Sequence, residues 1–139
     1  MTTQEIDAEI IDEFELFDDW TDKYQYIIEL GQKLPPFPAE EYKEENKIKG
    51  CQSSVWLISE FADGRLYFQA DSDSTIVKGL ISMLIRVLNN QTPEAILNAD
   101  LGFIEAIGLK QHLAVTRANG LGAMIKQMKA TALAYSSKV

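Results

Sequence analysis

The chain has 139 residues, enough for one domain, and its 46% hydrophobic content suits a buried core and argues against a disordered chain. A formal charge of -8 disfavours nucleic acid, whose phosphates need basic surface, and the long apolar runs do not read as membrane spans, since Ile76 to Leu88 is broken by Lys78, Gly79, Ser82 and Arg86. A single cysteine and a single histidine exclude an internal disulfide and a Cys-rich or His/Cys metal site.

The N-terminus opens on Thr2, Thr3, Gln4 and Glu5, without the basic start and apolar stretch of a signal peptide, which predicts a cytoplasmic protein. Thr2 and Glu5 have the spacing of a capping box, and Ile6, Ile10, Phe14 and Phe17 form one stripe, so the first helix is expected over Thr3 to Phe17. A second helix is expected after Asp18 or Asp19, with Trp20, Tyr24, Ile27, Ile28 and Gly31 facing the core. It must stop before Leu34-Pro35-Pro36-Phe37-Pro38, because prolines remove donors and restrict the residues before them. Ala39 to Asn46 is charged and irregular.

Lys47 to Gly50 is read as the continuation of a preceding strand, leaving Cys51 on a connecting loop. Ser54 to Phe61 and Arg65 to Ala70 are strands, joined through Asp63-Gly64, the dipeptide of a tight hairpin. Ser72 or Asp73 is expected to cap a helix from Thr75 to Asn89, whose broad apolar face marks it as the central helix. Thr92-Pro93 starts a short helix with proline in its first turn. Gly102 and Gly108 punctuate the apolar patches of Leu101 to Leu113. The last helix runs from about Thr116 to Tyr135 and should bury Leu121, Met124, Ile125, Met128 and Leu133. Helices at both ends of a small antiparallel sheet make an α+β fold, one domain over residues 1–139.

Charge is uneven. Met1 to Glu45 holds 14 acidic and 3 basic residues, a net of -11; Asn46 onward holds 7 acidic and 10 basic, a net of +3. A solvated acidic helix face accounts for the first part. The only thiol lies in the second, close to Lys47 and Lys49. Gly50 and Ser53 suit a loop, the two lysines would favour a thiolate, and Gln52, Ser53 and Ser54 would supply hydrogen bonds to a sulfur anion. His112 could pair with Cys51 as a hydrolytic dyad, but no local signature links them, and Leu113 beside it suits a structural histidine. Arg117 reads as surface, a salt-bridge partner or an anion contact. Gly120, one turn from Arg117, permits close approach of a neighbouring element. No phosphate-binding loop is present.

At these residues the chain resembles the SufE family of sulfur acceptors. Trp20 with Tyr24-Gln25-Tyr26-Ile27-Ile28-Glu29-Leu30-Gly31 and Leu34-Pro35 is similar to the family's second helix. Asn46 to Trp56, centred on Gly50-Cys51-Gln52-Ser53, resembles its active loop. Asp71-Ser72-Asp73 with Ile76-Val77-Lys78-Gly79-Leu80 resembles the next block, and Gln111-His112-Leu113 with Arg117 and Asn119-Gly120-Leu121 the last. Departures are Ala114-Val115, where Ser or Thr and then Pro would be expected, and Ala70 in place of a glycine.

The resemblance implies a SufE/IscU-like fold, with Cys51 carrying sulfur as a persulfide. Lys49, Gly50, Gln52, Ser53, His112 and Arg117 would support it or meet a partner; Asp71 and Asp73 are assigned to helix capping. It further implies a SufS-type cysteine desulfurase as donor, holding its own pyridoxal phosphate (PLP), and a downstream SufBCD-type iron–sulfur scaffold as acceptor. This chain would carry no cofactor and no metal, act as an accessory protein and not an enzyme, and touch neither nucleic acid nor membrane; a homodimer stays open. A lone cysteine fits a carrier and not a cluster scaffold, which uses several. Two other classes stay open: a regulatory module that activates a desulfurase without taking sulfur, and an independent thiol enzyme. Cys51 is expected to be partly shielded and to swing outward on docking.

Overall fold

A computed structural model describes residues 1–136. Helix α1 (Thr3–Phe14) begins at the expected capping box: Thr2 accepts from the Glu5 amide at 3.1 Å and Glu5 accepts from the Thr2 amide at 2.9 Å. The helix ends at Phe14, a turn earlier than its apolar stripe suggests. Phe17 lies beyond it and packs its ring on Tyr26, 5.0 Å between centroids. Asp19 caps α2 (Trp20–Gln32) through the Asp22 amide. Ile27 and Gly31 are its buried residues, while Trp20, Tyr24 and Ile28 are only half-buried. The charged stretch after the prolines forms two short 3-10 turns, Ala39–Glu41 and Glu44–Asn46.

Strands β1 (Val55–Ala62) and β2 (Arg65–Ser72) pair antiparallel from Val55↔Ser72 to Ala62↔Arg65. Asp63 and Gly64 both take positive φ, +53° and +79°, as the tight hairpin requires. Lys47 to Gly50 is not a strand. A single bridge joins Lys47 to Trp56, and then the backbone turns, with Gly50 at φ +94°, a conformation that ends any extended run. The sheet's core face, including Leu66, Phe68 and Ala70, packs on helix α3 (Thr75–Leu88). On β1, Phe61 stacks on Tyr135 of the last helix at 4.8 Å.

α3 is the centre of the fold, with eleven of its fourteen residues buried. Its cap is Ser74, which accepts from the Val77 amide at 3.4 Å. The neighbouring candidates are occupied otherwise: the Ser72 hydroxyl accepts from the Ser74 amide and donates to the Ser54 carbonyl, and Asp73 accepts from the Ser54 amide. Asp71 is no cap either. It pairs with Lys78 at 3.1 Å and accepts from the Tyr42 hydroxyl. Burial works against the Asp71 carboxylate, but the Tyr42, Ser72 and Lys78 hydrogen bonds outweigh it and hold its pKa below the ordinary value.

Thr92 caps α4 (Pro93–Asn98), and two single-turn helices follow, α5 (Phe103–Ala106) and α6 (Leu109–His112). The long α7 (Val115–Ser136) closes over α4 and α3 and buries Gly120, Leu121, Met124, Met128 and Ala132. Leu133 is exposed instead of buried and Ile125 is half-buried, because the inward stripe passes through Ala132. The architecture is α+β, with a two-stranded antiparallel sheet among the described residues. None of the described helices is long and apolar enough to cross a membrane.

The tightest packing is between α2 and α3. A Cβ on Gly31 would lie 2.6 Å from the Gly79 amide nitrogen, and one on Gly79 would overlap the Ile27 carbonyl. Gly79→Ala therefore forces two helix backbones apart, at a cost of about 3 kcal/mol or more. Gly122→Ala, where nothing lies within 4 Å of the added carbon, should stabilise by about 0.5–1 kcal/mol through helix propensity. Urea denaturation of the two variants checks the opposite signs.

Candidate functional site

Cys51 sits in a five-residue loop, Lys49 to Ser53, clamped at both ends. On one side the Ile48 amide donates to the Val55 carbonyl at 2.8 Å, and Ile48 itself is buried. On the other, Ser54 is held by Asp73 and Ser72: its amide donates to Asp73 Oδ1 at 3.0 Å and its carbonyl accepts from the Ser72 hydroxyl at 2.8 Å. Between these clamps, Gly50 in the left-handed region reverses the chain and turns Cys51 inward.

The thiol is half-buried and rests on α7. Cys51 Sγ donates to the Gly120 carbonyl at 3.6 Å, across 69 residues of sequence. A Cβ at Gly120 would lie 3.6 Å from Sγ, so glycine leaves the helix surface beside the sulfur bare. The close approach expected at Gly120 is therefore made by Cys51 itself.

Burial pushes the Cys51 thiol above its ordinary pKa. This overturns the expectation that the lysines favour a thiolate. Lys47 is engaged by Glu44 at 3.2 Å and lies over the Trp56 ring, and Lys49 extends into solvent. Nor is the sulfur bonded to its polar neighbours: among the described residues its hydrogen bond goes to Gly120, not to Gln52, Ser53 or Ser54.

A cavity of about 310 Å³ lies alongside, lined by Gln52, Ser53, Val77, Arg117, Gly120 and Met124 among others. Gln52, Ser53 and Arg117 thus gather around one opening. Arg117 Nη1 donates to the Tyr24 hydroxyl at 3.0 Å, and no carboxylate among the described residues pairs with it. Lys49 and Gly50 line a different, larger cavity of about 670 Å³, whose other wall is α7.

His112 lines neither. Its ring stacks on Trp20, 4.5 Å between centroids and 15° between planes, and Nδ1 lies 2.8 Å from the Gly108 carbonyl. A carbonyl only accepts, so Nδ1 carries the proton. Its bond goes to Gly108 and that of Cys51 to Gly120, so the two do not form a nucleophile–base pair. The sequence reading missed Tyr24 and Trp20 as seats for Arg117 and His112. Their one-turn spacing on α2 was the available signal. It also missed Met124 and Val77, which look like ordinary core from periodicity.

Alkylation of Cys51 by iodoacetamide checks the electrostatics. The pH dependence should report a pKa above that of an unhindered cysteine peptide run in parallel. Gly50→Ala, strained at φ +94° and bringing a Cβ within 3.3 Å of Ala123, should loosen the loop and raise the alkylation rate several-fold.

A family model described as "SufE: Fe-S metabolism associated domain" matches residues 8–132. An uncharacterized SufE-like protein of Rhizobium meliloti (strain 1021) is 40% identical over 129 residues, covering 89% of this chain and 92% of its own. The solution structure of a hypothetical protein from Thermus thermophilus superposes with a TM-score of 0.77, covering 95% of this chain and 96% of that one at 21% identity, a likeness of fold alone.

Proposed function

The chain belongs to the SufE family and is thereby associated with Fe–S metabolism; from that premise we propose that it is a cytoplasmic sulfur carrier, taking sulfur onto Cys51 from a cysteine desulfurase. The observation that carries this reading is the single thiol on a short clamped loop, half-buried against a bare stretch of helix.

The donor is a persulfide on the catalytic cysteine of a SufS-type desulfurase, whose pyridoxal phosphate supplies the chemistry that frees the sulfur. Cys51 attacks as a thiolate. Its sulfur bonds to the terminal sulfur of the donor, the donor's sulfur–sulfur bond breaks, and the donor cysteine leaves as a thiolate. The transferred sulfur keeps its own proton, and no outside oxidant is consumed. A second exchange of the same form hands the sulfur to an acceptor, a SufBCD-type iron–sulfur scaffold.

The raised pKa has a role in this scheme. While the thiol is tucked against Gly120, burial lowers its thiolate fraction further, and so makes it less reactive toward oxidants and stray electrophiles. Docking must move Cys51 outward, which both exposes and activates it. The loop permits this, since one weak sulfur hydrogen bond holds the side chain while the strong bonds lie at the clamps. Gln52, Ser53 and Arg117 border one opening, which supports a role for them in meeting the partner's active-site rim. His112, stacked on Trp20, is a positioning residue for the α6–α7 corner.

A regulatory module that stimulates a desulfurase without taking sulfur is the second reading, favoured by how little of Cys51 is presented in the free chain. Turnover of the desulfurase with free cysteine separates the two. Wild-type chain should raise the rate, and Cys51→Ser should bind but give no stimulation. Stimulation that survives the substitution would assign the regulatory role instead.

A further inference from the structure

The net charge of the chain is -8, yet the larger cavity beside the Cys51 loop is cationic. Lys47 lines it from just before the loop, Lys49 from the loop itself and Lys126 from α7. Its floor is one helix face, formed by Asn119, Gly122, Ala123, Lys126, Gln127 and Ala130, which recur at three- and four-residue intervals. Eleven residues of helical rise make this face about 16 Å long. Gly122, Ala123 and Ala130 keep parts of the floor low, and a Cβ at Gly122 would meet nothing within 4 Å. Leu57 adds an apolar patch, and the amide groups of Asn119 and Gln127 offer donors and acceptors.

Charge decides what this groove takes. Lys47 is neutralised by Glu44, and Glu45 at one end lies 3.8 Å from Lys43. Lys49 and Lys126 have no carboxylate partner among the described residues. Both are exposed, so the two cations are available to an incoming group. A trough of about 16 Å matches about five residues of extended chain, far more than a small anion needs. Its wall includes Gly50, the residue before Cys51. Anything seated there touches the Gly50 side of the loop that carries the thiol.

We propose that this lysine groove seats an acidic, extended segment of the desulfurase that delivers sulfur to Cys51. The inference rests on the sulfur-carrier reading and adds to it the chemistry of the partner's contact. Docking along α7 would press on the Gly50 side of the loop, where a Gly50 Cβ would already stand 3.3 Å from Ala123. A segment lying between the loop and α7 competes for the space that keeps Cys51 turned inward, coupling recognition to release of the thiol. Long-range attraction between Lys49, Lys126 and carboxylates would also speed encounter, an effect that salt screens.

The test is the dissociation constant of the full chain with the SufS-type desulfurase of the same organism, measured by calorimetry without free cysteine, so that no sulfur moves. Lys49→Glu with Lys126→Glu should weaken binding about tenfold or more and flatten its salt dependence. Lys49→Gln with Lys126→Gln should fall between that and wild type. Lys33→Glu with Lys110→Glu makes the same charge change at exposed positions outside the groove and should leave the constant within about twofold. Thermal unfolding checks that each variant is folded.

Equal affinity in the groove variant and wild type would overturn the groove assignment while leaving the carrier reading intact. So would an equal loss in the control pair. Self-association of wild type, abolished in the groove variant at unchanged desulfurase affinity, would give the groove to a second copy and also overturn it. If wild type does not bind the desulfurase at all, the carrier reading fails first and takes the groove assignment with it.

Discussion

Two glycines, Gly31 on α2 and Gly79 on α3, let these helices meet backbone to backbone, and the arrangement around Cys51 follows from that contact. α3 carries Val77 into the cavity beside the thiol, only two residues before Gly79. α2 carries Trp20 and Tyr24, against which the α6–α7 corner docks through His112 and Arg117. The N-terminal helix is tied to the same pair, since Glu13 accepts from the Tyr26 hydroxyl and from the Arg86 guanidinium. A side chain at either glycine would separate the two helices and, with them, the two walls of the site.

The thiol itself is held by a compromise. Full exposure would leave it reactive and unprotected; full burial would put it out of reach of any reaction partner. Half-burial on a clamped loop, with one long hydrogen bond to a helix carbonyl, stabilises the resting position weakly. The energy needed to turn Cys51 outward is therefore within what a modest docking interface can provide. The raised thiol pKa belongs to the same compromise, because burial tips the balance further toward the protonated form and that shift is lost when the side chain turns outward.

Local signals are legible in the sequence where one residue has one plausible task. Thr2 with Glu5, Asp19, Thr92 with Pro93, and Asp63-Gly64 each do what their chemistry suggests. The cap of α3 is not legible in this way because Ser72, Asp73 and Ser74 are equally good caps, and tertiary contacts with Ser54 decide among them. Leu133 escapes burial because α7 buries a narrow stripe, in which Ala132 suffices. The lysines near Cys51 are close in sequence, but desolvation of the sulfur sets its pKa. The Cys51–Gly120 contact joins residues 69 apart, and no periodicity encodes it. Gly120 hints at a close neighbour without saying which.

Carriage of sulfur by Cys51 would leave a signature that intact-mass measurement reads. The chain is incubated with the desulfurase and free cysteine, then weighed and mapped by peptide. One added sulfur atom on Cys51, removed by a reductant and absent from Cys51→Ser, is the predicted result. A desulfurase that turns over while the mass of the chain stays unchanged would contradict it.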